Sequence, residues 1–172
     1  MKDGLVEGKG KKLIMYLGKI RTGVITLAAE IMSVVLVIML VTNFWGVAII
    51  SGNSMNPTYN NGNIKIYKVT KECKREDVVI FTGTVEQYGT EKEVIKRVIA
   101  VAGDTVSVLD GVVHVNGIPL QEEYAKGNTT DLEEIVVPEE CIYVMGDNRE
   151  YSLDSREVGF ISTDQVIGKV VD

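Results

Sequence analysis

Three short stretches of this 172-residue chain hold residue types that could do chemistry. The first is Gly52-Asn53-Ser54-Met55-Asn56-Pro57-Thr58. A backbone that must present a hydroxyl and an amide to a substrate needs a flexible glycine nearby and a rigid exit such as Pro57. The second is Lys96, in Glu93-Val94-Ile95-Lys96-Arg97-Val98-Ile99-Ala100. Strand alternation puts Val94, Lys96, Val98 and Ala100 on one face and Ile95, Arg97, Ile99 and Val101 on the other. Lys96 then sits among small apolar side chains, where desolvation lowers an amine pKa by up to ~3–5 units for a fully buried group. The third is GDNREYSLDSR, Gly146–Arg156, with three acids, two arginines and two serines in eleven residues. Such density suits a rigid, cross-braced loop beside a site. Each stretch also has a bland reading: ordinary turn residues, a lysine that snorkels to solvent, and a solvated loop.

The rest of the inventory narrows the field. The chain has one histidine, His114, and two cysteines, Cys73 and Cys141, too scattered for a zinc site. A His-dependent hydrolase would hang entirely on His114, which sits in a strand after the Asp110-Gly111 turn. A formal net charge of −6 provides no general basic surface, so nucleic acid is not expected as a partner. No metal or organic cofactor is called for. An exported domain would place Cys73 and Cys141 in an oxidising space, which leaves a disulfide open.

The elements that must position these residues follow from charge and hydropathy. Residues 1–22 carry six basic and two acidic residues, whereas 51–172 carry twelve basic and twenty-one acidic. Between them Ile31–Ile50, IMSVVLVIMLVTNFWGVAII, has no charge. Twenty residues at ~1.5 Å each give about 30 Å of helix, the thickness of a hydrocarbon core. The run is longer than a signal-peptide core and no small-x-small cleavage site follows it, which favours a retained anchor. The basic flank predicts a cytoplasmic N-terminus and an exported acidic domain. The expected organisation is a basic tail over 1–22, an anchor over 23–50 and an all-β domain over 51–172.

Strands are expected at Asn63–Val69, Asp77–Thr82, Glu93–Val101, Thr105–Val108, Val112–Val115, Ile135–Val137, Ile142–Met145 and Val166–Val171. Asp110-Gly111 and Asn116-Gly117 mark tight turns, and residues 84–92 and 121–134 look like polar loops. The fold class is mainly β, an antiparallel curled or barrel-like sheet preceded by one transmembrane helix.

Ser54 in GNSMNPT, REDVVIF at 75–81, KRVIAVAGD at 96–104 and GDNREYSLDSR occur in the order and context of the type I signal peptidases. The chain resembles the single-span bacterial form familiar from Gram-positive bacteria. That resemblance implies a membrane-anchored serine endopeptidase that removes N-terminal signal peptides from exported preproteins, beside the bilayer and near the secretion translocon. Ser54 matches the nucleophile and Lys96 the general base, acting through an acyl-enzyme. At an ordinary pKa near 10.4, fewer than about one lysine in a thousand is neutral at pH 7, so the base needs a shift of roughly 3 units.

Ser152 matches the family serine that orients the lysine amine. Arg97, Asp147, Asp154 and Arg156 look like the charged residues that brace the site, with Asp147 pairing Arg97. The Ser54 backbone amide is the expected oxyanion donor, together with other donors such as water. Gly52 occupies the position where Gram-negative members have a serine that supplements it. By position, Ile50, Met55 and Val94 are candidates to line shallow pockets for small residues before the cut. A self-cleaving Ser-Lys repressor would carry a DNA-binding N-terminal domain, which residues 1–50 do not resemble. A non-enzymatic membrane-anchored β domain is the other alternative.

Overall fold

The computed structural model describes residues 3–85 and 90–171, in two compact units divided after Asn43. The first is one helix, α1 (Asp3–Phe44), within which Met15–Phe44 is apolar and long enough to cross a membrane, with mean hydropathy 2.7. Thirty residues give roughly 45 Å, longer than a hydrocarbon core, which a tilted helix accommodates. Its hydroxyls bond back to their own helix: Thr26 to Gly23 O at 2.9 Å, Ser33 to Glu30 O at 2.7 Å and Thr42 to Ile38 O at 3.0 Å. A hydroxyl satisfied in this way is compatible with an apolar surround.

The apolar run does not stay helical to Ile50. At Trp45 it becomes strand β1 (Trp45–Ile49), paired antiparallel with β2 (Ile64–Val69) in the register Val47 to Ile66 and Ile49 to Ile64. The sequence WGVAI is β-branched and aromatic, and Gly46 has a packing reason for its type. A side-chain carbon there would come 2.1 Å from the ring of Tyr67, its cross-strand partner. The expected anchor boundary therefore moves back to Phe44.

The second unit holds two open antiparallel sheets, with no closed barrel. The larger has the order β1-β2-β11-β3-β4-β9-β10, with β3 (Val78–Val85), β4 (Thr90–Val101), β9 (Cys141–Met145), β10 (Ile161–Ser162) and β11 (Val166–Val171). The smaller runs β7-β6-β5-β8, with β5 (Thr105–Leu109), β6 (Val112–Val115), β7 (Ile118–Pro119) and β8 (Leu132–Val136). Asp110 and Gly111 both take positive φ and close the β5–β6 hairpin. His114 stands in β6 opposite Ser107, in the smaller sheet. Of the expected loops, residues 84, 85 and 90–92 extend the β3–β4 ribbon and 132–134 begin β8, while residues 86–89 lie outside the described ones. Cross-strand pairing overrides polar composition in both places. Cys73 and Cys141 are free thiols.

One irregularity in β4 matters for the site. Val98 pairs with Val144 but Ala100 with Tyr143, so Ile99 is a bulged extra residue. The bulge ends the simple alternation expected for this strand. Ala100 packs beside Ile99, Tyr143 and Met145 against the smaller sheet, while Val98 and Val101 stay on the opposite face with Val79 and Val144. Lys96 and Arg97 precede the bulge and keep their opposite orientations. A third cluster packs Ile50, Met55 and Tyr59 against Val78, Ile80 and Val170, seating the Ser54 loop on the larger sheet.

Candidate active site

Ser54 and Lys96 meet. Lys96 Nζ lies 2.8 Å from Ser54 Oγ, although the residues are 42 apart in sequence. Lys96 is 4% exposed, and among the described residues it forms no ion pair. Burial pushes its pKa down to about 8; the negative charges of Asp154 and Asp147 oppose the shift and Arg156 assists it. About a tenth of such amines are neutral at pH 7, against fewer than one in a thousand in water.

β9 ends at Met145, opposite Arg97, and Gly146 follows beside the dyad. A side-chain carbon on Gly146 would lie 2.2 Å from Ser152 Oγ and 2.6 Å from Ser54 O. This glycine makes room for the Ser54 loop and the Ser152 loop to approach the strand together. The Ser152 hydroxyl is buried there and approaches the Asp154 carboxylate, and among the described residues the expected bond to Lys96 is not formed.

The brace residues pair in two sets. Arg97 donates from Nε and Nη2 to Asp147 at 2.8 and 2.7 Å and from Nη1 to Glu76 O at 3.0 Å. Its guanidinium stacks 3.9 Å from the centroid of the Tyr124 ring. Burial works against the Arg97 charge, but the hydrogen bond and charge of Asp147 outweigh it and raise the pKa. Thr58 Oγ1 also donates to Asp147, linking the Ser54 loop to the pair. In the second set Arg156 donates to Asp154 at 2.8 and 2.9 Å, and Asp154 caps the short helix α2 (Ser155–Val158) and accepts from Gly146 N at 2.8 Å. Burial tends to raise the Asp154 pKa, but hydrogen bonds from Arg156 and the Gly146 amide overcome it and leave the carboxyl below its usual range.

A cleft of about 340 Å³ opens beside the dyad, lined by Ala48–Ser51 and Ser54 and by Lys92–Lys96. Of the expected pocket residues, Ile50 and Val94 line it. Met55 does not: it is wholly buried against Ile50, Tyr59 and Ile80, because its neighbours close over it in the core. The two walls are strand edges. β1 has only β2 beside it, and over Glu93–Lys96 β4 has β3 on one side and no strand on the other among the described residues.

Sequence reasoning missed a set of residues around Asp147. Arg149 is buried, bonded to Glu122 at 2.5 Å, Thr129 at 3.1 Å and Gly146 O at 3.1 Å. Tyr124 donates to the same Glu122 oxygen at 2.9 Å. The stretch read as a polar loop is therefore a clamp over the charged pair. A tyrosine and a glutamate facing a buried Arg-rich loop carry no local signature that could have revealed it.

Comparison with known proteins is consistent with this geometry. Residues 24–171 match the family model for signal peptidase, peptidase S26. The signal peptidase I of Bacillus licheniformis is 35% identical over 158 residues, covering 81% of this chain and 82% of that protein. The signal peptidase I of Bacillus caldolyticus is 33% identical over 141 residues, covering 71% and 75%. A crystal structure of a signal peptidase I from Enterococcus faecalis superposes with a TM-score of 0.50 at 29% identity, covering 58% of this chain and 97% of that one. The chain belongs to the type I signal peptidases.

Proposed function

We propose that this enzyme removes N-terminal signal peptides from exported preproteins with Ser54 as nucleophile and Lys96 as general base. The observation that carries the reading is the 2.8 Å contact between Ser54 Oγ and an Lys96 amine that forms no ion pair among the described residues. Neutral Lys96 takes the Ser54 proton as Oγ attacks the scissile carbonyl, and the ammonium so formed protonates the leaving amine. Lys96 then activates water to hydrolyse the acyl-enzyme. The Ser54 N–H supplies the oxyanion donor. Ser152 turns its hydroxyl to the Lys96 amine when substrate fills the site, and the pairs Arg97–Asp147 and Asp154–Arg156 hold the loops.

The cleft supports an extended substrate. A peptide laid between two unpaired strand edges takes backbone hydrogen bonds from both, and side chains at alternate positions enter the walls. Ile50 and Val94 leave room there for small apolar residues before the cut. Val47, Ile49, Ile64 and Ile66 form an exposed apolar patch on the β1–β2 ribbon, between 53% and 72% exposed, consistent with work beside lipid. The apolar helix serves as the anchor, with the basic tail in the cytoplasm and the acidic domain outside near the translocon. A fluorogenic peptide with Ala at −3 and −1 tests the reading. Wild type in detergent is expected to cleave it, and cleavage no faster than that of Ser54→Ala would remove the assignment.

A further inference from the structure

Asn148 precedes the 3₁₀ turn Arg149–Tyr151, where an asparagine side chain ordinarily folds back to cap its own turn. Here it makes no capping bond, and its Nδ2 donates instead to Asn53 O at 3.1 Å. A carbonyl only accepts, so the chemistry itself fixes which end of the amide faces it. The Asn148 backbone N–H donates to the next carbonyl, Ser54 O, at 2.9 Å. One residue thus holds the carbonyl before the nucleophile and the nucleophile's own.

Asn148 is anchored in turn. Lys126 N donates to Asp147 O at 2.7 Å and Arg149 N to Lys126 O at 2.8 Å, and Asn148 is 6% exposed.

The Asn53–Ser54 peptide unit is trans, and a trans unit carries C=O and N–H in opposite directions across a rigid plane. Drawing Asn53 O toward Asn148 turns Ser54 N–H the other way. That N–H makes no hydrogen bond to a described residue. The other donor to Asn53 O, Asn56 N at 3.2 Å, belongs to the same loop and does not tie it to the sheet. Gly52, at φ +93°, adds no side chain to help.

We infer that Asn148 is a positioning residue for the oxyanion hole, locking the Asn53–Ser54 peptide so that Ser54 N–H meets the carbonyl oxygen as it becomes negative. The inference rests on the reading of Ser54 as nucleophile. It explains how a site with glycine at position 52 works with a backbone donor: the donor is held in place rather than supplemented.

The test uses the full chain in detergent with the same peptide, comparing wild type, Asn148→Ala and Asn148→Asp. Asn148→Ala is expected to lower kcat about 10–100-fold, below the ~10²–10³ that complete loss of an oxyanion donor costs. KM should stay within about threefold and the pH midpoint should not move, because Lys96 is untouched. A peptide aldehyde, which adds Ser54 Oγ to its carbonyl and places an oxygen in the oxyanion position, should weaken by the same factor as kcat/KM. Asn148→Asp, whose carboxylate cannot donate, should match or exceed the loss.

An Asn148→Ala enzyme with wild-type kcat, a loss confined to KM, a shifted pH midpoint or an unfolded Asn148→Ala protein would each overturn the inference. A wild type no faster than Ser54→Ala would overturn the nucleophile as well. An active wild type with an unimpaired Asn148→Ala would remove only the positioning role.

Discussion

Lys96 and Arg97 are adjacent cations on one strand, both buried, and the fold treats them in opposite ways. On one face Lys96 donates to the Ser54 hydroxyl and forms no ion pair among the described residues, and burial lowers its pKa to about 8. On the other, Arg97 has a bidentate carboxylate, a backbone carbonyl and an aromatic ring, and its pKa rises. Desolvation acts on both. A paired carboxylate offsets it for Arg97, a guanidinium that stays charged in any case, whereas burial without such a pair weakens the hold of Lys96 on its proton.

The largest expected effect comes from erasing that contrast. Lys96→Arg puts a permanently charged group in the base position, and cleavage should fall by at least ~10³-fold. Retained activity in the peptide assay would remove Lys96 as the base. Next is the Arg97 side: Asp147→Asn strands a buried guanidinium and is expected to destabilise the β unit by about 3–5 kcal/mol, read by urea unfolding. A loss below 1 kcal/mol would show that Glu76 O and Tyr124 suffice for Arg97.

The pH dependence of Lys96 sharpens the contrast further. Its folded pKa of about 8 lies below the ordinary 10.5, so folding favours the neutral amine. Below pH 8 the amine is charged in both states and the fold bears the full desolvation cost of about 3 kcal/mol. The cost shrinks between pH 8 and 10.5 and vanishes above it. Lys96→Met should therefore stabilise the protein most at or below neutral pH, with a benefit that fades by pH 10. Wild-type kcat/KM should rise tenfold per pH unit until it levels near pH 8; a profile flat from pH 6 would contradict a lysine base. The smallest effect is on the aromatic lid: Tyr124→Leu removes the cation–π contact and should cost about 1 kcal/mol in unfolding free energy, with little change in kcat.

Much of the β domain was legible because its strands alternate and its turns carry Asp-Gly and Asn-Gly. The Ser54 turn, Lys96 and the GDNR loop were legible through their motifs. Trp45–Ile49 was not, since a continuous apolar run is equally compatible with helix and strand until a partner such as β2 is known. The Ile99 bulge escaped for a related reason: periodicity within one strand does not reveal how many residues its neighbour spends over the same length. The contacts of Tyr124, Glu122 and Asn148 were not legible, even though Asn148 lies within the GDNR motif, because they are made with distant segments. Asn148 and Asn53 are 95 residues apart.

The sequence by itself determined the charge asymmetry, the apolar span and the β class, because these follow from composition and local period, and its motifs singled out Ser54 and Lys96 as the residues to compare. Only the tertiary structure decided that Lys96 would be buried with no ion pair among the described residues while Arg97 received one, and that Asn148 would reach the carbonyl before Ser54. Burial and hydrogen-bond partners depend on which segments pack together, and protonation and peptide orientation follow from those partners.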